Sequence, residues 1–207
     1  MKTAAAVAGG AAASTVLPLT QNPAEAIQRG DPKQDAMTLD ELKSSLAETY
    51  KGKSGPVLEV FQKAHPKASP YELLSRITTG AVPRQNAVTQ ATRKAAQKAA
   101  PAYLYWFTWQ TPILDGRPRA YHCAELPFVF YNTDRCAAMT GGGADARELG
   151  GKMADAWVAF ARSGDPTHKG LPKWTPYNEA QCPTMVFDNT CEVKNNPDTE
   201  ERRVLRS

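Results

Sequence analysis

His122 is the residue in this sequence best placed to move protons, since imidazole titrates nearer neutrality than any other side chain. Its surroundings read Ala120-Tyr121-His122-Cys123-Ala124-Glu125, which sets a carboxylate three residues after the ring. A histidine can take the proton of a hydroxyl and return it to a leaving group, provided a nucleophile and an orienting acid complete the set. The nucleophile is what the 207 residues lack. A serine presented on a strained strand-to-helix turn reads G-x-S-x-G, and no such pentapeptide occurs. Gly52-Lys53-Ser54-Gly55 has the wrong spacing for that turn and lacks the leading glycine of a phosphate loop. Cys123 could be a substitute nucleophile, but neighbours in the chain rarely aim at one another well enough for proton transfer. The cysteines Cys123, Cys136, Cys182 and Cys191 show no CxxC spacing and no histidine pair, so neither a zinc site nor any other metal site is expected. Free thiols are the expectation for all four; Cys182 with Cys191 is the pair to test first for a bridge.

The elements that must hold His122 can be read outward from it. Tyr103-Leu104-Tyr105-Trp106-Phe107-Thr108-Trp109 is an aromatic run of good strand formers. Without polar alternation it predicts a strand covered on both faces, as in a parallel sheet between helices. A loop with Pro112, Asp115, Gly116 and Pro118 then leads to His122, where open α/β sheets keep their chemistry. Upstream, Thr38-x-x-Glu41 and Ser69-Pro70-x-Glu72 are capping boxes, with stops at Gly52 and Gly80. Pro56 opens a short helix through Phe61, and residues 85–99 form a helix with Val88, Ala91, Ala95 and Ala99 on one face. Downstream, Asp145 and Glu148 start a helix whose buried stripe is Leu149, Met153, Ala156, Trp157 and Phe160, and Gly164-Asp165-Pro166 ends it. Thr184 to Asp188 is a second strand, and the tail from Lys194 reads as solvated. Two strands among five or more helices make an incomplete sheet, because a lone parallel strand leaves unpaired amides and carbonyls.

Composition bounds the remainder. With 42% hydrophobic and 22% charged residues the chain is globular in character. A net charge of +4 without long runs of like charge gives no sign of a nucleic-acid partner. No stretch reaches the roughly 20 apolar residues that span a bilayer. Residues 1–36 are Ala/Gly-rich and read either as a disordered leader or as a signal peptide with a small-x-small site at Ala24-Glu25-Ala26. The compartment, cytoplasmic or exported, stays open on that reading.

The aromatic strand, the Trp109-Gln110-Thr111-Pro112 turn, His122-x-x-Glu125 and Leu126-Pro127-Phe128-Val129-Phe130 together resemble the C-terminal part of the type-B carboxylesterases, the cholinesterase-like branch of the α/β-hydrolases. The resemblance continues through Ala154 to Pro166, Leu171 to Tyr177 and Thr184 to Asp188, in the family's order. It implies an α/β fold, with residues 37–207 as less than the last half of a catalytic domain, and a carboxylic ester as substrate without any cofactor. It makes His122 the position of the triad base and Glu125 a structural acid near the site, the triad acid coming from an earlier loop. The family places glycine after the histidine where this chain has Cys123. Gly141-Gly142-Gly143 is similar to the oxyanion loop only in composition, since it follows His122 and leads into a helix. Asp165 and His168 belong to a structural turn in the family, and His65 is also read as structural. Two functions follow: an ester hydrolase by descent, inactive alone and completed by the missing N-terminal part of the domain, or a non-catalytic binding module that pairs through its open strand edge.

Overall fold

The computed structural model describes residues 36–207. All but Ala36 of the leader segment 1–36 therefore lies outside the described residues.

Three helices begin the fold. Thr38 caps α1 (Leu39–Tyr50) and Ser69 caps α3 (Pro70–Thr79), each through a reciprocal bond with the glutamate three residues on. Between them α2 (Ser54–Ala64) runs several residues past the stretch 56–61 expected from proline alone. Their apolar stripes, Leu42 and Leu46, Val57 and Phe61, Leu73 and Ile77, close on one another as a separate buried cluster.

Gly80 does not stop α3. Its φ of −62° is right-handed, and the chain continues through a π-helical turn, Gly80–Arg84, into α4 (Gln85–Ala96). A π turn adds one residue per hydrogen-bonded ring and so redirects the following side chains. Arg84, at its end, points inward and is buried.

The sheet has three strands, β1 (Leu104–Phe107), β2 (Pro183–Phe187) and β3 (Glu192–Asn195), in that spatial order. β1 pairs with β2 in parallel, Leu104 opposite Thr184 and Phe107 opposite Phe187, and β2 pairs with β3 antiparallel. Both faces of β1 are covered, as its unbroken apolar run requires. Tyr105 and Phe107 face α7 (Ala144–Ser163), while Leu104 packs with Ala87, Val88 and Ala91 of α4. Two short helices, α5 (Leu126–Val129) and α6 (Ala137–Thr140), precede α7, and α8 (Thr199–Arg206) closes the chain.

Two strands were too few. β3 escapes sequence reading because Glu192, Lys194 and Asn195 are exposed and carry no apolar alternation. The tail is not merely solvated either, since α8 returns Arg202 and Asp198 to the interior. Cys182 and Cys191 cannot bridge: they stand at opposite ends of the β2–β3 ladder, five residues of strand or about 16 Å apart. All four cysteines are free thiols.

Candidate active site

The histidine loop hangs from the carboxyl end of β1. Thr108 and Trp109 still donate their backbone N–H groups to the carbonyl of Phe187, at 2.9 and 3.2 Å, so the loop leaves a fixed point. Trp109 is buried against Phe128, with ring centroids 4.9 Å apart, and Phe107 meets the same ring at 5.0 Å. Thr111 Oγ1 and the Tyr121 hydroxyl both donate to the carbonyl of Met139, at 2.6 and 3.2 Å. The two ends of the loop are thereby tied to one atom. Between them Leu114, Asp115 and Arg119 adopt left-handed backbone angles, which a non-glycine residue holds only when its surroundings impose them.

His122 follows buried Tyr121 at the head of a turn that runs into α5. Its neighbours Tyr121, Ala124 and Phe128 are buried, whereas the His122 side chain is exposed. Cys123 takes φ +65°, the left-handed region that glycine occupies without strain. A glycine is therefore what this position asks for, and a β-carbon is carried there at a conformational cost. Burial, and then the charge of Glu125, push the Cys123 thiol above its ordinary range. Such a thiol is poorly prepared to act as a thiolate nucleophile.

Glu125 is half-buried beneath the turn, and its Oε2 is shielded from solvent without a hydrogen-bond partner. Desolvation raises its carboxyl above the ordinary value, only partly offset by a bond from its own backbone. Its charge in turn adds to the burial that raises the Tyr105 phenol. The tyrosine before His122 is pushed up to about 12, chiefly by burial. The carboxylate therefore sits below the loop, among buried rings.

A cavity of about 310 Å³ opens at the carboxyl ends of the two parallel strands. Thr108 and Asp188, the residues that follow β1 and β2, line it, with Arg119 and Ala120 of the histidine loop at its rim. Thr108 Oγ1 donates to Asp188 Oδ2 at 2.7 Å. Open α/β sheets place ligand crevices here. The lining reaches Ala120 and stops short of His122. Sequence reasoning missed the charged floor of this cavity entirely. Asp198 accepts from Arg84 at 2.8 and 3.0 Å and from Arg202 at 3.0 Å. Burial alone would raise the Asp198 carboxyl, but the bonds and charges of Arg84 and Arg202 outweigh it and hold it below its usual range. The only sequence signal was the i, i+4 spacing of Asp198 and Arg202.

The other candidates are structural. His65 caps α2 and pairs with Glu201 of α8 at 2.7 Å. His168 donates from Nε2 to the carbonyl of Lys152 and accepts the Gly170 N–H at Nδ1, while Asp165 accepts the Thr167 N–H, so the two do not form an acid–base pair. Gly141, at φ +71°, ends α6, and Gly143 starts α7 without a side-chain cap from Asp145. Trp109 Nε1 donates to Asp145 instead, at 3.3 Å. Gly141 also lies so close to Pro112 that a β-carbon would meet it at 2.6 Å, which makes this glycine a packing requirement. Among the described residues no cluster of three or more His, Cys, Asp or Glu could hold a metal, and no helix is long and apolar enough to cross a membrane.

A sequence profile described as the carboxylesterase family matches residues 19–205. The chain is 32% identical over 108 residues to the para-nitrobenzyl esterase of Bacillus subtilis, covering 51% of this chain and 22% of that protein. It is 28% identical over 168 residues to phenmedipham hydrolase of Pseudarthrobacter oxydans, covering 79% of this chain and 33% of the relative. Among solved structures, a carboxylesterase of Geobacillus stearothermophilus superposes with TM-score 0.70 at 28% identity, over 87% of this chain and 38% of that one. An esterase of Clostridium hathewayi described as hydrolysing aliphatic aromatic polyesters superposes with TM-score 0.63 at 28% identity, over 94% and 36%. The neighbours are α/β-hydrolase esterases, and the mostly helical chain with its small sheet corresponds to part of such a domain. It spans less than two fifths of each of these proteins.

Proposed function

The chain belongs to the carboxylesterase family, and from that premise we propose that it supplies the histidine side of a carboxylic ester hydrolase, with His122 as general base. In this reading a serine hydroxyl on another polypeptide segment attacks the ester carbonyl while His122 takes its proton. The imidazolium then returns that proton to the departing alcohol, and water repeats the sequence on the acyl-enzyme. Glu125 positions the loop from below. The triad acid comes from an earlier segment. The substrate is a small carboxylic ester, and the reaction needs no cofactor.

The observation that carries the reading is the contrast at one turn. His122 is exposed while its neighbours Tyr121, Ala124 and Phe128 are buried, on a loop pinned at both ends to Met139. A rigid scaffold presenting one exposed imidazole suits preorganised proton transfer. Further along the same stretch Leu126, Phe130 and Tyr131 are also exposed, apolar surface fitted to be covered by protein or substrate.

Without a G-x-S-x-G turn, the isolated chain should hydrolyse short-chain p-nitrophenyl esters at no more than a marginal rate and without a burst. A fluorophosphonate that labelled it stoichiometrically would overturn the proposal. A binding-module reading draws on a different observation: β1 lies at the edge of the sheet, and its outer side has no partner strand among the described residues. Strand addition at that edge would use the same surface whether or not catalysis follows.

A further inference from the structure

The histidine loop is tied to the helix cluster by one carboxylate with two duties. Glu72 Oε2 accepts the Ser69 N–H at 2.8 Å, the return bond of the α3 capping box, while Oε1 lies 2.9 Å from Arg119 Nε as an ion pair. Leu73, the next residue, is buried in the cluster formed by α1, α2 and α3, so the carboxylate stands on a fixed base. Glu72 and Arg119 both line the cavity of about 310 Å³, the one from α3 and the other from the histidine loop. The pair therefore joins two walls of that cavity.

Arg119 needs such a hold. Its φ of +55° is left-handed, a conformation that carries a steric cost for an L-residue. Within the loop its N–H donates to the Gly116 carbonyl at 3.1 Å, and its own carbonyl accepts the Thr111 N–H at 3.4 Å, a long bond. Its side chain reaches out of the loop to α3. Exposed ion pairs are ordinarily weak, because two long side chains must be immobilised in water. Here the Glu72 side chain is 25% exposed and already held by the Ser69 amide, so most of the freedom lost on pairing is that of Arg119. Ala120 and Tyr121, the two residues between Arg119 and His122, are both buried. A displacement of Arg119 is therefore passed along packed backbone to the histidine.

We propose that Arg119 is a positioning residue for His122, and that its ion pair with Glu72 holds the left-handed backbone from which the histidine turn starts. For its consequence in turnover the assignment rests on His122 as general base; for the order of the loop it rests on the ion pair alone. Glu72→Gln separates the two duties of the carboxylate, since glutamine also serves in a capping box but brings no charge to Arg119.

The test is amide hydrogen exchange on the full chain, ¹³C,¹⁵N-labelled, at Thr111 and Arg117, whose N–H groups bond to the carbonyls of Arg119 and Leu114 within the loop. Leu73 of α3, bonded to the Ser69 carbonyl, is the internal control. The Cε1–H signal of the His122 ring is read alongside and is identified by its loss in His122→Gln. Glu72→Gln and Arg119→Gln should each speed exchange at Thr111 and Arg117 by about two- to fivefold, the range for a measurable exposed ion pair, and leave Leu73 unchanged. The double variant should be no faster than either single one, as two partners of one interaction require. Both glutamine variants should move the His122 signal in the same direction, and Arg119→Lys, which keeps the charge, should return it towards the parent. The proposal is overturned if either glutamine variant leaves Thr111 and Arg117 unchanged, if the effects of the two add in the double variant, or if the His122 signal is the same in all these proteins. These signals come from the chain alone, without turnover, so a failure of Arg119 in this role and a failure of His122 as base are told apart.

Discussion

Replacing Cys123 by glycine should stabilise the fold, and the backbone at that residue gives the size of the effect. Cys123 sits at φ +65° immediately after the exposed histidine. An L-residue in that region carries about 1–2 kcal/mol of steric cost. Glycine removes it but gives back about 0.5–1 kcal/mol through its freer unfolded chain. The net gain is about 0.5–1 kcal/mol, because the half-buried thiol surrenders some packing. For a chain of this length that corresponds to a rise in Tm of roughly 1–4 °C. Thermal unfolding followed by circular dichroism under reducing conditions measures it, with Cys123→Ala as the control that keeps the β-carbon and hence the strain. Cys123→Gly should melt above both Cys123→Ala and the parent. Equal melting of the glycine and alanine variants would show that the turn holds no strain at this position.

Asp198→Asn should destabilise by about 3–5 kcal/mol, since it leaves two buried guanidiniums without their shared counter-charge; urea unfolding would show a lower midpoint, and an unchanged one would contradict the role given to Asp198. The depressed Asp198 carboxyl also predicts a pH effect. Its contribution is fully present above the ordinary value of 3.8 and is lost as pH falls through the lower folded value, so the parent should lose stability in acid more steeply than Asp198→Asn. Glu125 has the opposite sign: its raised carboxyl stabilises the fold below the ordinary 4.5, and that contribution is lost as pH rises through the folded value. Glu125→Gln should therefore melt higher than the parent at neutral pH and show no such advantage below pH of about 4, read by thermal scans at the two pH values. Ser69→Ala should lower stability by about 1 kcal/mol by removing the acceptor of the α3 capping box, measured by the same unfolding curves.

Much of this was legible in the residues. Thr38 and Ser69 declare two helix starts because a hydroxyl and a glutamate three apart satisfy amides that nothing else can reach. The aromatic run of β1 declares burial on both faces, and α7 and α4 provide it. Cys123 was legible as a departure from the glycine of related esterases, and its left-handed angle shows what the departure means physically. The failures share a cause. Gly80 looked like a stop, but glycine also tolerates the close approach of α8, whose Leu205 would lie 2.9 Å from a β-carbon there. β3 and the Arg84–Asp198–Arg202 trio are built from charged residues that ordinarily face water. β3 stays exposed and is formed by its pairing with β2, whereas long-range packing of α8 on the π turn brings the trio inward, and residues 84 and 198 have no local reason to meet.

The assignment of His122 as general base is tested most directly by complementation. The full chain is mixed with a polypeptide carrying the rest of a carboxylesterase sheet, including its G-x-S-x-G turn, and p-nitrophenyl acetate hydrolysis is followed with and without His122→Gln in this chain. The account predicts that the parent chain restores turnover and fluorophosphonate labelling, and that His122→Gln, though it associates equally by gel filtration, restores neither. Equal turnover from the His122→Gln mixture would contradict it.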